Sequence, residues 1–130
     1  MEFGRLVVRA YLAEDALPVE GALVRVLGVD EGVSGEEHLR FTDMDGVTDA
    51  ILLPAPPREL SEHPSPREAP YATYRVSVAK EGYFTKVVDG VAVFDGVTTI
   101  LPVNMILKED GATAPVDTLK TFSTEPERLV

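Results

Sequence analysis

The feature that most constrains this chain is a period-two alternation of apolar and polar residues, repeated in short runs and cut each time by glycine, proline or aspartate. In residues 5–12, Leu6, Val8, Ala10 and Leu12 share one parity, while Val7, Arg9 and Tyr11 share the other. Successive side chains of a strand leave opposite faces, so a run of this kind buries one side of a sheet. The pattern returns at Ala22, Val24 and Val26 after a turn-rich connector at 14–21. It returns again at Tyr74, Val76 and Val78 and breaks at Glu81-Gly82. No segment sustains the 3.6-residue period of a helix, which leaves an all-β chain of short strands joined by turns.

The punctuation between the runs sets their expected pairing. Residues 38–42 and 47–53 flank Asp43-Met44-Asp45-Gly46, where aspartate tolerates the bend and glycine supplies a positive φ, so the sequence predicts a hairpin there. Residues 28–37 read as a loop. Residues 54–70 carry Pro54, Pro56, Pro57, Pro64, Pro66 and Pro70, too many for a central strand or a helix interior, and predict an extended surface connector. A sixth strand is predicted over 83–94, interrupted at Asp89-Gly90. Asp95-Gly96 then turns the chain into a last strand over 97–107.

Composition narrows the function. At 130 residues the chain has the length of one domain, and 45% hydrophobic against 26% charged residues places it with globular sequences rather than disordered ones. Asp and Glu number 22 against 12 Lys and Arg, a formal charge of −10 at pH 7, which repels nucleic acid and anionic lipid. The absence of cysteine removes disulfides, thiolate zinc sites and thiol nucleophiles together. No apolar run approaches the roughly 20 residues of a membrane-spanning helix. The start, Met1-Glu2-Phe3-Gly4-Arg5, leads straight into alternation without the basic-then-apolar order of a secretory signal. From 108 to 130 the alternation dissolves, with Leu119, Phe122, Leu129 and Val130 as scattered apolar points. This tail is expected to dock on its own domain or on a neighbouring subunit.

The runs Gly4-Arg5-Leu6-Val7-Val8, Leu17-Pro18-Val19-Glu20-Gly21-Ala22-Leu23-Val24, Thr42-Asp43-Met44-Asp45-Gly46 and Val76-Ser77-Val78-Ala79-Lys80-Glu81-Gly82-Tyr83 together resemble the carboxypeptidase-regulatory-like domains of the transthyretin (prealbumin) superfamily, over residues 4–107. Residues 53–57, 70–74 and 93–106 are similar to the transthyretin-like domain of clostridial spore cortex-lytic proteins. That resemblance implies an accessory domain that works beside peptidoglycan-binding or lytic regions, at a spore or cell surface. The same superfamily includes the 5-hydroxyisourate hydrolases, which place histidines and an arginine at a dimer interface and end in Tyr-Arg-Gly-Ser. This chain runs instead to Pro126-Glu127-Arg128-Leu129-Val130 and has no N-terminal histidine, a departure that sets the hydrolase reading behind the others.

Each candidate chemistry has a structural competitor. Asp43, Asp45 and Asp49 resemble the start of a calcium loop, since hard cations take converging oxygens, but the glutamate that completes an EF-hand does not follow. A plain turn accounts for them. His38 and His63 are too few for the three protein ligands of a hydrolytic zinc site, and Ser61 and Ser65 beside His63 bring no acid-oriented triad. Asn104 sits where a Lys–Asn isopeptide bond would form, yet the first strand offers only Arg5 and Arg9, which cannot serve. No catalytic residue, metal or cofactor is therefore expected. The binding or assembly candidates are Pro56, Pro57 and Leu60 in a preorganised extended segment, Tyr71 as a stacking surface, and Leu119 and Phe122 in the tail.

The expected architecture is an all-β, transthyretin-like antiparallel β-sandwich of about seven strands over residues 1–107, with a tail over 108–130. Its expected core contains Leu6, Val8, Val24, Val26, Phe41, Ile51, Val76, Val78, Val93, Ile100, Val103 and Met105. The expected function is a non-catalytic binding or assembly module of the bacterial cell wall or spore, meeting a protein partner, peptidoglycan or its own copies through edge strands and tail. The alternatives are a self-assembling subunit of a filament, appendage or virion-like particle, and an enzyme of the hydroxyisourate hydrolase kind.

Overall fold

The computed structural model describes residues 2–12, 16–57 and 70–108. The first alternating run becomes the longest strand, β1 (Glu2–Leu12), with Gly4, Leu6, Val8 and Ala10 buried. There follow β2 (Leu17–Pro18), β3 (Leu23–Gly28), a 3₁₀ turn (Glu31–Val33), β4 (Glu37–Phe41), β5 (Ile51–Ala55), β6 (Ala72–Ala79), β7 (Tyr83–Phe84), β8 (Lys86–Val93), β9 (Thr98–Asn104) and β10 (Ile106–Leu107). Among the described residues β1, β3, β4, β5, β6, β8 and β9 are the strands of five residues or more.

They form two four-stranded sheets and a small β7–β10 ribbon. In the first sheet β1 is central, with β9 along one side and β5 and β2 sharing the other. The second runs β4-β3-β6-β8. Leu6, Val8, Ile51, Leu53 and Val103 from the first sheet meet Val24, Val26, Tyr74, Val76, Val78 and Val93 from the second in one core. Burying each large apolar side chain is worth roughly 1.5–3 kcal/mol, and this facing arrangement makes the described residues a β-sandwich.

Several expectations are corrected. Every strand pair among the described residues is antiparallel except β1 with β9, which run parallel from Arg5↔Thr98 to Tyr11↔Asn104. The reason is the crossover after β8. Gly96, at φ +74, donates to the Phe3 carbonyl (2.9 Å), and Arg5 N–H donates to the Val97 carbonyl (2.9 Å). The chain thus enters the other layer beside the start of β1 and continues in the same direction. The hairpin expected at 43–46 is likewise a crossover, because β4 pairs with β3 and β5 with β1. Asp89-Gly90 does not interrupt β8 but bulges within it, two residues standing opposite Arg75, with Gly90 at φ +73. The last predicted strand divides at Met105, whose N–H turns to the Tyr11 carbonyl (2.7 Å).

Two expected core residues lie outside. Phe41 is 67% and Ile100 63% exposed. Ile100 has the opposite parity to buried Val103 and lies beside Val7 on the outer face. Phe41 is turned out by its neighbour Thr42, which must face in. The Thr42 hydroxyl donates to the Val19 carbonyl (2.7 Å) and accepts the Ala22 N–H (2.9 Å). The ten other expected core residues, from Leu6 to Met105, are buried.

At Gly46 backbone angle and space together demand glycine. Gly46 has φ +78, and a Cβ there would stand 2.5 Å from the Ala10 carbonyl oxygen. Gly46→Ala should therefore cost about 1–3 kcal/mol in urea unfolding. On the same measure Ile100→Lys should cost less than about 0.5 kcal/mol, and Met105→Ala about 2–5 kcal/mol. Equal costs at Ile100 and Met105 would contradict the assigned parity.

Candidate functional site

The acidic turn spends the Asp43 and Asp49 carboxylates on the fold. Asp43 Oδ1 accepts the N–H groups of Asp45 (2.9 Å) and Val47 (3.1 Å), while Gly46 N–H closes on the Asp43 carbonyl (2.8 Å). Asp49 accepts from Arg40 Nε (3.1 Å). Among the described residues no three His, Cys, Asp or Glu side chains stand together in a way that could hold a metal ion. His38 Nε2 lies 2.8 Å from Glu36 Oε1, half-buried under the rim of β4. His63, Ser61, Ser65, Leu60, Leu119 and Phe122 lie outside the described residues, as does the docking expected of the tail beyond Lys108.

The remaining sequence candidates gather at one end of the sandwich. Pro56 and Pro57 follow β5 and are half-buried. Tyr71 precedes β6, is 36% exposed, and stacks at a tilt on Phe94 with ring centroids 5.3 Å apart. Phe94 in turn closes over β1, where its carbonyl occupies the space a side chain on Gly4 would need. Phe3, opposite Pro54, completes this apolar end and is 46% exposed.

The sheet edges were expected as assembly routes, and the structure distinguishes them. A strand residue sends its N–H and C=O to the same side, and the side alternates. Val97 and Met105 bond β1, so the intervening even residues of β9 face outward, and Pro102 is among them. On β5, Leu53 and Ile51 are the partners of Gly4 and Leu6, on the side of β1 where Val8 and Ala10 also donate. Leu52 and Pro54 therefore face outward. On β2, Val19 N–H turns to Ala10, leaving Pro18 outward. Each of these three edges thus carries a proline where a neighbouring strand would need a donor. The β8 edge is broken by its bulge. On β4, Thr42 and Glu36 bond β3 through Ala22 and Gly28, so Glu37, Leu39 and Phe41 present their backbone groups outward, with neither proline nor bulge. The sequence reading pairs 38–42 with 47–53 as a hairpin and so does not single out this edge; among the described residues β4 pairs with β3 alone. The signal that finds it is the placement of prolines within the strands.

Tyr74 ties the two sheets together. It is fully buried, and its hydroxyl donates 2.7 Å to the Pro54 carbonyl on the outward side of β5. Burial first, then the charges of Glu36 and Asp30, hold its phenol well above the ordinary 10.0.

No protein-family model matches the chain, and no curated protein is similar enough to show a relationship. Solved structures show the fold. The Bacillus anthracis TIE protein is similar at 17% identity with a TM-score of 0.52, over 80% of this chain and 16% of that one. Hydroxyquinol 1,2-dioxygenase from Pseudomonas putida DLL-E4 is similar at 13% identity with a TM-score of 0.51, over 83% of this chain and 58% of that one. The chain thus spans a small part of the first protein and just over half of the second. At these identities both likenesses bear on the all-β architecture alone. Among the described residues no helix is long and apolar enough to cross a membrane.

Tyr74→Phe should cost about 0.5–1.5 kcal/mol at neutral pH, the worth of one buried hydrogen bond. Because the folded phenol keeps its proton where the unfolded chain loses it, this contribution is whole below about pH 10 and falls as pH rises beyond it. Urea unfolding at pH 8 and pH 11 should show a steeper alkaline loss in the wild type than in Tyr74→Phe.

Proposed function

We propose that this chain is a non-catalytic, transthyretin-like β-sandwich module that binds or assembles as an accessory or structural component of the bacterial cell wall or spore. The observation that carries the reading is where its exposed apolar side chains lie. Phe3, Leu52 and Ile100 stand on the outer face of one sheet, Leu39 and Phe41 on that of the other, each about half exposed or more. Meanwhile Asp43, Thr42 and Tyr74 are spent on turns, crossovers and the inter-sheet tie. A surface of this kind favours recognition over chemistry. The transthyretin-like assignment is supported by the sequence resemblance over 4–107 and by seven principal strands divided between two layers across the same span.

Assignment to cell wall or spore rests on the resemblance to cortex-lytic accessory domains. The tilted Tyr71–Phe94 pair, at the end where the proline-rich segment leaves and re-enters, suits stacking against a sugar ring of peptidoglycan. Retention on purified sacculi should exceed that of an unrelated acidic β-sandwich and should drop in Tyr71→Ala. Retention no greater than the control removes the cell-wall reading. Turnover of 5-hydroxyisourate that disappears in His38→Ala would reverse the non-catalytic one.

A further inference from the structure

We propose that the open edge of β4 pairs antiparallel with β4 of a second copy of this chain, with the two-fold axis at His38. The inference rests on the assembly half of the reading above and names its surface and partner. Among the described residues, β4 is the terminal strand of the two four-stranded sheets whose outward backbone is unbroken. The Leu39 carbonyl on that edge is met by the chain's own Arg40, through Nη1 at 3.0 Å, and its second lone pair is available to a neighbour's N–H. Beside it stand side chains unusually apolar for a free edge. Leu39 is 52%, Phe41 67% and Met44 72% exposed.

The partner follows from the charges. On the inward row of this edge Glu36, His38 and Arg40 read anion, imidazole, cation, a sequence complementary to its own reverse. With His38 on the axis, each Arg40 stands opposite the other copy's Glu36, and opposite charges placed so across an antiparallel pair stabilise it. In the same register Glu37 faces the second copy's Leu39 twice. Both residues point their backbone outward, so four new N–H···O bonds form. Arg25 with Glu37 (2.9 Å) and Arg40 with Asp49 (3.1 Å) leave this strip near neutrality on a chain of charge −10, which lowers the repulsion between two copies that approach along it. The pairing is isologous and closes as a dimer rather than propagating as a filament.

Sedimentation equilibrium at physiological salt tests this. The wild type should show a concentration-dependent dimer, and Leu39→Pro should weaken it at least about tenfold while leaving the melting temperature nearly unchanged. The proline there removes only an outward donor and no bond to β3. Glu36→Lys and Arg40→Glu should each dissociate alone and recover dimers when mixed, because the mixture restores both cross-pairs; this exchange decides the matter if Leu39→Pro fails to fold. A wild type that stays monomeric to about 1 mM, a dimer that survives in folded Leu39→Pro, or a mixture that does not recover overturns the proposal. Sacculus binding by a strictly monomeric chain would overturn self-pairing while sparing the binding reading, and a dimer that ignores sacculi would do the reverse.

Discussion

Strand β1 crosses the whole first sheet, and no single partner matches its length. Buried backbone groups must be paired, each unmet one costing about 1–3 kcal/mol, so the fold has to supply partners along both sides. β9 covers one side from Arg5 to Tyr11. On the other, β5 reaches only from Glu2 to Leu6 and β2 only Tyr11 and Leu12. The gap at Val8–Ala10 is filled by the crossover from β4 to β5. Thr48 exchanges two bonds with Val8, its hydroxyl accepting (3.1 Å) and its N–H donating (3.0 Å), and the Gly46 carbonyl accepts from Ala10 (2.7 Å). The acidic turn, the left-handed glycine and the buried Thr48 all serve this one requirement. What looks in the sequence like a hairpin or the start of a calcium loop is the patch that completes the central strand.

That requirement also explains which parts of the fold were legible. Alternation located the long strands, since parity along one strand is a local property, and ten of twelve expected core residues are buried. Phe41 and Ile100 failed for nonlocal reasons. An exposed Ile100 and a buried Val103 differ by three positions, and only the register against β1 says which parity faces in. The facing of Phe41 depends on Thr42, whose hydroxyl is needed by Val19 and Ala22 some twenty residues earlier in the chain. Pairing was less legible still. Asp43-Met44-Asp45-Gly46 specifies a bend but not whether the strands on either side share a sheet, and a parallel β1–β9 pair between the two ends of the described chain leaves no local trace. The candidate residues Leu60, Leu119 and Phe122 fall outside the described positions. Tyr71, Pro56 and Pro57, by contrast, do share one end of the molecule.

The prolines carry information that composition conceals. In the proline-rich run they read as a connector, but Pro18, Pro54 and Pro102 are set within strands, each at a position whose nitrogen faces away from the sheet. An edge proline costs the fold nothing there and denies a donor to any approaching strand. Pro54 is protected further, since its carbonyl takes the Tyr74 hydroxyl. Among the described residues, three devices of one kind on one sheet, and a bulge on the far strand of the other, leave β4 as the edge open to a neighbour.

Charge then sets the conditions under which such an edge is used. A chain of −10 repels its own copies at a distance, and this repulsion is screened over about 8 Å at physiological ionic strength. Contact is therefore governed by what lies within that range. Along β4 Arg25 is matched by Glu37 and Arg40 by Asp49, while Glu36 stands against His38, so two edges that meet there lose little electrostatic energy and gain backbone bonds and apolar cover for Leu39 and Phe41. Among the described residues, an acidic chain with one nearly neutral, unblocked edge admits a second strand most readily along that edge.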